Sequence, residues 1–206
     1  MRRDLKLRPR RVGHRPTRPT ALIVCEGEKT EPRYFQALRQ RLRVGGIDVH
    51  PMGKDPGRLI EEADKIRRSH ERGGGAKYDA VWVVFDTERH GTYPNLPNLV
   101  QTAVSKGIKV AHSCPCFEVW LLLHFDFSTG SCLDCKQVET KLGTHLPNYE
   151  KVSFPTDQLM DRLTTAVENA GKLRAYHERV GNRELSGNPG TKVDLLVSWI
   201  KATASG

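Results

Sequence analysis

The feature that most constrains the fold is an apolar run at residues 81–85, Val-Trp-Val-Val-Phe, which ends directly in Asp86. Apolar, mostly β-branched or aromatic residues without polar alternation are typical of a strand that is buried on both faces. Such strands belong to parallel sheets, whose ligands bind at the carboxyl ends of the strands. Asp86 and Glu88 are therefore predicted to lie at a ligand-binding edge. Taken alone, this stretch fits a strand followed by a solvated acidic turn better than it fits a ligand-binding site.

A second apolar run strengthens the functional interpretation. Residues 21–25 also end in a carboxylate, Glu26, and a helix with Thr30 as its predicted N-cap follows. If the two runs are neighbouring parallel strands, Glu26, Asp86 and Glu88 converge on one point. Carboxylates this close repel each other, and their oxygen atoms are ligands that Mg²⁺ prefers. The sequence therefore predicts a magnesium site built from these three side chains.

The remaining elements of the first half alternate between strand and helix patterns. Apolar residues at helical spacing and short apolar runs predict a strand within 44–50, helices over 58–72 and 98–106, and a strand over 108–111. An order of β-α-β-α-β-α-β predicts an α/β fold with a parallel-dominated sheet and helices on both faces. In the C-terminal part, the pattern predicts one helix over 156–179 and a last helix capped by Thr191.

Length and composition set the class of protein. The chain has 206 residues, of which 28% are charged and 37% are apolar, and these values fit a soluble globular protein with one substantial domain over 21–206. No apolar run approaches the length that spans a membrane. The N-terminus has no apolar segment typical of a secretory signal, so we expect a cytoplasmic protein without a membrane partner.

The positive charge is concentrated in residues 1–20. This segment holds eight basic residues against Asp4 alone, so it carries +7 of the net charge of +9. Three prolines interrupt it, and it therefore predicts a flexible basic arm rather than a packed helix. Such arms bind phosphate backbones through charge and counterion release, without reading sequence. A solubilising tail without a partner explains the arm equally well.

Two polar residues lie in the strongly apolar segment after Pro115. Glu118 is placed early in the predicted helix, where a carboxylate stabilises the helix dipole; a role near the acidic site is the alternative. His124 is expected to be a hydrogen-bonded core residue rather than a metal ligand.

The cysteines raise a second metal hypothesis. Cys114 and Cys116 form a C-x-C pair, and Cys132 and Cys135 form a C-x-x-C pair, so the four thiolates could hold zinc. Buried free thiols, which are common in cytosolic enzymes, are the favoured interpretation, and Cys25 lies within a strand.

Four segments together resemble the RloB-like family. They are residues 24–31 (VCEGEKTE), 84–90 (VFDTERH), 115–125 (PCFEVWLLLHF) and 188–193 (NPGTKV), and they occur in the expected order. The likeness covers nearly the whole chain beyond the basic arm. Proteins that look like this are associated with bacterial abortive phage resistance and restriction loci, often beside an ATPase of the AAA or ABC type.

The resemblance also implies a fold and a site. The core of such proteins is similar to the Toprim fold of topoisomerases, primases and OLD-type nucleases. By position, Glu26 matches the Toprim glutamate that follows the first strand. Asp86 and Glu88 match the D-x-D pair, with Glu in place of the second Asp.

The implied function is hydrolysis of a nucleic-acid phosphodiester with Mg²⁺ or Mn²⁺ in antiviral defence. Asp86 and Glu88 would hold the metal, and Glu26 would be a ligand or a general acid/base. Lys29 would meet a phosphate at the helix N-terminus, and His90 would be a base or a substrate contact. Glu118 completes the set of candidate catalytic residues. The substrate, whether DNA or RNA such as tRNA, stays open, as does assembly into a homo-oligomer.

Two other functions remain open at this point. One is a nucleic-acid-binding sensor subunit with a vestigial acidic site, acting in complex with an ATPase. The other is a nucleotidyl- or phosphotransferase that uses the same metal site.

Overall fold

The computed structural model describes residues 19–87, 95–182 and 187–204, and the predicted alternation of strands and helices is present in them. The strands are β1 (Ala21–Cys25), β2 (Ile47–Pro51), β3 (Ala80–Asp86), β4 (Lys109–Cys114) and β5 (Gly190–Thr191). The helices are α1 (Thr30–Arg41), α2 (Pro56–Arg72), α3 (Leu96–Ser105), α4 (Glu118–Leu122), α5 (Cys135–Gly143), α6 (Thr156–Asp161), α7 (Leu163–Arg179) and α8 (Val193–Ala204). Within these ranges, each helix is too short or too polar to cross a bilayer.

The strands form one sheet in the order β2-β1-β3-β4-β5. The first four strands run parallel, and β5 pairs antiparallel with β4 at one end of the sheet. The prediction of an α/β fold with a parallel-dominated sheet is therefore confirmed. The predicted neighbours are adjacent as well, since Val24 pairs with Val83 and Cys25 with Val84. The carboxyl ends of β1, β3 and β4 thus meet along one edge.

Buried side chains cover both faces of this sheet, as a strand without polar alternation requires. Along β3, Trp82 and Val84 pack into the larger core, together with side chains of α1, α4, α7 and α8. Val83 and Phe85 pack into the smaller core with α2 and α3. Full burial of one such side chain contributes about 1.5–3 kcal/mol, so both faces hold the sheet in place.

Three details differ from the sequence predictions. Thr30 is the first residue of α1 and Lys29 is its N-cap, without a side-chain capping bond. The helix predicted over 156–179 is broken at Arg162 into α6 and α7, and the Arg162 guanidinium lies over the Phe125 ring at 5.2 Å. The strand β5 was not predicted, because two residues show no periodicity, and it includes Thr191, which was predicted only as a helix cap.

Several predictions fall outside the described residues. These concern the basic arm up to residue 18, and the site residues Glu88 and His90.

Candidate acidic site at the carboxyl edge of the sheet

Glu26 and Asp86 meet at the carboxyl ends of β1 and β3. The backbone N–H of Glu26 donates to the Val84 carbonyl oxygen (2.8 Å), which continues the strand pairing by one residue. The Glu26 side chain then turns toward β3, where its Oε2 accepts a hydrogen bond from the backbone N–H of Asp86 (2.9 Å). The structure therefore brings together two of the three predicted ligands. The third, Glu88, lies beyond the described end of this segment.

Within the described part of the chain, one oxygen of the Asp86 carboxylate is not satisfied by a hydrogen bond. This oxygen, Oδ1, is buried and has no hydrogen-bond partner among the described residues. Burial raises the pKa of Asp86 well above its usual range, and the negative charges of Glu31, Glu118 and Glu26 raise it further. A buried carboxylate oxygen in this state is costly unless a proton or a cation neutralises it.

Glu31 is a site residue that the sequence analysis missed. It lies in the first turn of α1, it is buried, and its Oε1 accepts a hydrogen bond from the backbone N–H of Gly27 (3.1 Å). Burial raises the pKa of Glu31, and the charge of Glu118 contributes to the increase. The only sequence signal is a glutamate four residues after the glycine, and that pattern is also typical of an ordinary first helical turn.

Glu118 lies on the same side of the sheet and is almost fully buried. The Tyr149 hydroxyl donates to Glu118 Oε1 (2.9 Å), and Lys151 Nζ lies 3.6 Å from the same oxygen. Lys151 also pairs with Glu139 (3.1 Å). Although burial opposes its charge, the Glu118 and Glu139 carboxylates raise the pKa of Lys151. A hydrogen bond and an ion pair thus fix Glu118 and compensate its charge. Asp86 Oδ1, in contrast, has no such partner among the described residues.

These side chains surround a cavity of about 260 Å³. Its lining includes the acidic residues Asp86, Glu31 and Glu118 and the basic residues Lys29 and Lys151. Of the candidate site residues, Asp86, Glu118 and Lys29 therefore line the same cavity. The structure adds Glu31 and Lys151, while Glu26 reaches the group through its bond to Asp86. Carboxylates beside two cations can hold a hard cation and a phosphate next to each other.

Comparison with known proteins identifies the family. A model of the RloB-like protein family matches residues 21–200, from the first residue of β1 into α8. The chain belongs to the RloB-like family. The matched range contains all four segments that carried the resemblance, which is thereby confirmed. No curated protein and no solved structure matches the chain.

His124 has a structural role in this RloB-like chain, as predicted. Its Nδ1 bonds to the Trp120 carbonyl oxygen (2.9 Å) and its Nε2 to the Tyr34 hydroxyl (3.2 Å). A carbonyl oxygen only accepts, so Nδ1 carries the proton and Nε2 accepts from Tyr34. Burial lowers the pKa of His124 to about 4, so the ring is neutral at physiological pH.

The cysteines of the RloB-like chain are free thiols, and Cys135 is the most accessible of the five. Among residues 19–87, 95–182 and 187–204, no group of three or more His, Cys, Asp or Glu side chains is arranged to hold a metal ion. The zinc hypothesis for Cys114, Cys116, Cys132 and Cys135 therefore gains no support. The magnesium hypothesis includes Glu88, which this finding does not cover.

Proposed function

We propose that this RloB-like chain is a metal-dependent nuclease that hydrolyses nucleic-acid phosphodiester bonds. The observation that carries the proposal is the meeting of Glu26 and Asp86 at the carboxyl edge of the sheet, with Asp86 Oδ1 buried and without a partner among the described residues. This edge is where α/β folds place their ligands. The position of both acids also agrees with the Toprim-like arrangement that the resemblance implies.

The donor set fits Mg²⁺ or Mn²⁺. Carboxylate oxygens are the ligands that both ions prefer. Burial and the neighbouring carboxylates raise the pKa of Asp86, and a bound cation would favour its charged form. Asp86 and Glu26 would hold the ion, together with Glu88 as the sequence predicts. When bound, a divalent cation polarises the phosphate and stabilises charge on the leaving oxygen.

The other side chains of the cavity would position the substrate. Lys29 is exposed at the start of α1, where its charge and the helix N-terminus favour a phosphate group. Glu118 is fixed by Tyr149 and Lys151, which keeps its carboxylate from moving toward Asp86. Among the described residues, Lys151 forms its ion pairs with Glu118 and Glu139 rather than with Asp86. The Asp86 carboxylate would therefore be available to the metal.

The biological setting is part of the same proposal. The basic arm of residues 1–20 would raise the local concentration of DNA or RNA at the site. The resemblance supports a role in antiviral defence beside an ATPase of the AAA or ABC type, which would control when the nuclease acts.

A cleavage assay tests the proposal. The full chain is incubated with plasmid DNA, single-stranded DNA and tRNA, with Mg²⁺, with Mn²⁺ or with EDTA. We expect cleavage of at least one substrate that depends on the metal and is abolished in Asp86→Ala. The matched control is Asp161→Ala, which removes an exposed carboxylate paired with Arg41 and should leave cleavage unchanged. If a purified complex with the ATPase also cleaves nothing, the proposal is wrong.

A nucleic-acid-binding sensor subunit is the second candidate function. It is favoured by Lys151, whose contact with Glu118 already neutralises part of the acidic cavity. Binding of the same nucleic acids without cleavage, and with equal affinity in Asp86→Ala, would identify this function. Turnover of free nucleotides in place of nucleic acid would identify the transferase alternative.

A further inference from the structure

Two cysteines from different elements, Cys116 and Cys135, meet beside the acidic cavity. Cys116 is buried in the segment between β4 and α4. Cys135 is the first residue of α5, is partly exposed, and packs against the larger core, of which Cys116 is a member. Both are free thiols, and their side chains are hydrogen-bonded to each other. The proposed nuclease function does not use this pair.

The ion pairs of Lys151 join the two segments that carry these thiols. Lys151 Nζ lies 3.6 Å from Glu118 Oε1 and 3.1 Å from Glu139 Oε1. Glu118 follows Cys116 by two residues. Glu139 follows Cys135 by four residues, so the two lie on the same face of α5. One cation therefore holds the start of α4 against α5, in the arrangement that also brings the thiols together. Since Glu118 and Lys151 line the acidic cavity, the segment after Cys116 forms part of its lining.

The fold, and not the spacing in the sequence, sets the partner of Cys135. A C-x-x-C motif would pair Cys135 with Cys132. In the structure, Cys132 Sγ contacts the Lys141 ammonium (3.6 Å) and the Gly130 carbonyl oxygen (3.8 Å). The thiol that hydrogen-bonds to Cys135 is that of Cys116, nineteen residues earlier in the chain. The structure therefore favours a pairing that neither the C-x-C nor the C-x-x-C motif indicates.

The surroundings of Cys135 favour its thiolate form. The hydrogen bond from the Cys116 thiol lowers the pKa of Cys135, and the charge of Lys151 lowers it further. Burial and the Glu118 and Glu139 carboxylates oppose this, but the net change is a decrease. The same hydrogen bond, together with burial, raises the pKa of Cys116, which therefore stays protonated. An accessible thiolate at a helix N-terminus, beside a protonated second thiol, is typical of a reactive cysteine with its resolving partner.

We propose that Cys116 and Cys135 are the site of a reversible disulfide that forms when a hydroperoxide oxidises the chain. The Cys135 thiolate attacks an oxygen atom of the peroxide, the O–O bond breaks, and hydroxide leaves as Cys135 becomes a sulfenic acid. The Cys116 sulfur then attacks the Cys135 sulfur, the S–O bond breaks, and the hydroxyl group leaves as water with the Cys116 proton. The hydroxide takes up the proton that Cys135 had released. The two thiols are thus oxidised to a disulfide, while hydrogen peroxide is reduced to two water molecules. The new bond joins the start of α4 to α5, which Lys151 joins by ion pairs.

Disulfide mapping of the full chain tests this proposal. The reduced protein is treated with hydrogen peroxide in EDTA, the remaining thiols are blocked with N-ethylmaleimide, and the non-reduced peptides are identified by mass spectrometry. We expect the main intramolecular disulfide to join Cys116 to Cys135, and dithiothreitol to reverse it. Cys135→Ser should lose this disulfide. In Cys116→Ser, the sulfenic acid of Cys135 should persist and be trapped by dimedone. Cys25→Ser removes a fully buried thiol of β1 and is the matched control, in which the disulfide should form as in the wild type.

Other patterns of oxidation would overturn the proposal. They are a main disulfide between Cys132 and Cys135, disulfides only between separate chains, and oxidation of Cys135 no faster than that of the buried thiols. The mapping of the wild-type chain does not depend on whether a serine variant folds. The readout is a covalent bond formed without metal or nucleic acid, so it is independent of the nuclease proposal. Asp86→Ala should form the disulfide normally.

Discussion

The Glu26 carboxylate accepts a hydrogen bond from the backbone N–H of Asp86 across a sequence separation of 60 residues. The contact joins the ends of β1 and β3 and orients Glu26, but it leaves the Asp86 side chain unused. Asp86 Oδ1 is buried without a hydrogen-bond partner among the described residues, and burial and three neighbouring carboxylates disfavour the charge of Asp86. This is a strained electrostatic arrangement, typical of functional sites rather than of sites selected for stability.

Asp86→Asn should stabilise the metal-free protein while abolishing the proposed cleavage. The substitution removes a charge that burial and three neighbouring carboxylates disfavour. We expect the free energy of unfolding in EDTA to rise by about 1 kcal/mol. Urea denaturation measures this, with Asp161→Asn as a surface control that should change little. A clear loss of stability in Asp86→Asn would show that the carboxylate is compensated in the folded protein.

Mg²⁺ should stabilise the wild-type chain and not the Asp86→Asn variant. A ligand that binds only the folded state adds about 2.7 kcal/mol at a concentration 100-fold above its dissociation constant. Thermal unfolding in EDTA, Ca²⁺, Mg²⁺ and Mn²⁺ measures the effect. An equal shift of both proteins by Mg²⁺ would place the ion elsewhere.

Gly27→Ala should impair the site without unfolding the protein. A Cβ at this position would overlap the Glu31 carboxylate, which bonds to the Gly27 backbone N–H. Since Glu31 lines the acidic cavity, its displaced carboxylate would move within that cavity. We therefore expect about a 10-fold or larger loss of cleavage, the consequence of misplacing a site residue. Gly143→Ala, where an added Cβ meets no atom within 4 Å, is the comparison variant. Circular dichroism should show both variants folded.

The strands that position the site could be predicted from the sequence, because an apolar run that ends in a carboxylate is a local pattern. The ends of β1 and β3 and the convergence of Glu26 with Asp86 follow from that pattern and from the rule that such strands run parallel. The broken helix at Arg162 was missed because α6 and α7 share one continuous apolar periodicity.

The partners of Glu118 could not be predicted, because they come from a distant loop. Tyr149 and Lys151 lie more than thirty residues after Glu118, next to a bridge between Glu150 and Ser153. A tyrosine and a lysine in a polar loop have no periodicity that indicates a buried glutamate as their target. Only tertiary packing assigns them to the acidic cavity.

Tyr149→Phe should destabilise the protein through Glu118. The Tyr149 hydroxyl donates to an oxygen of a nearly fully buried carboxylate. Its removal leaves that oxygen with Lys151 as its remaining partner among the described residues. Loss of a hydrogen bond to a buried charged group costs about 1–3 kcal/mol. The double variant Tyr149→Phe, Glu118→Gln should lose less stability than the sum of the two single variants. Strict additivity in urea denaturation would argue against the coupling.

Asp64→Asn should destabilise the protein at neutral pH and lose this effect in acid. The buried Asp64 pairs with Arg67, with Arg68 (2.9 Å) and with Lys106 (3.4 Å). Burial by itself would raise the pKa of Asp64, but the hydrogen bond and charge of Arg67, with the other two cations, lower it. A pKa below the unfolded value of about 3.9 means that the contribution to stability is present above that pH. The contribution disappears as the pH falls through the folded-state pKa. We therefore expect a loss of about 1–3 kcal/mol at pH 7, and a much smaller difference between variant and wild type in urea titrations well below pH 4. A difference that stays constant over this range would mean that hydrogen bonding alone, which asparagine partly retains, determines the effect.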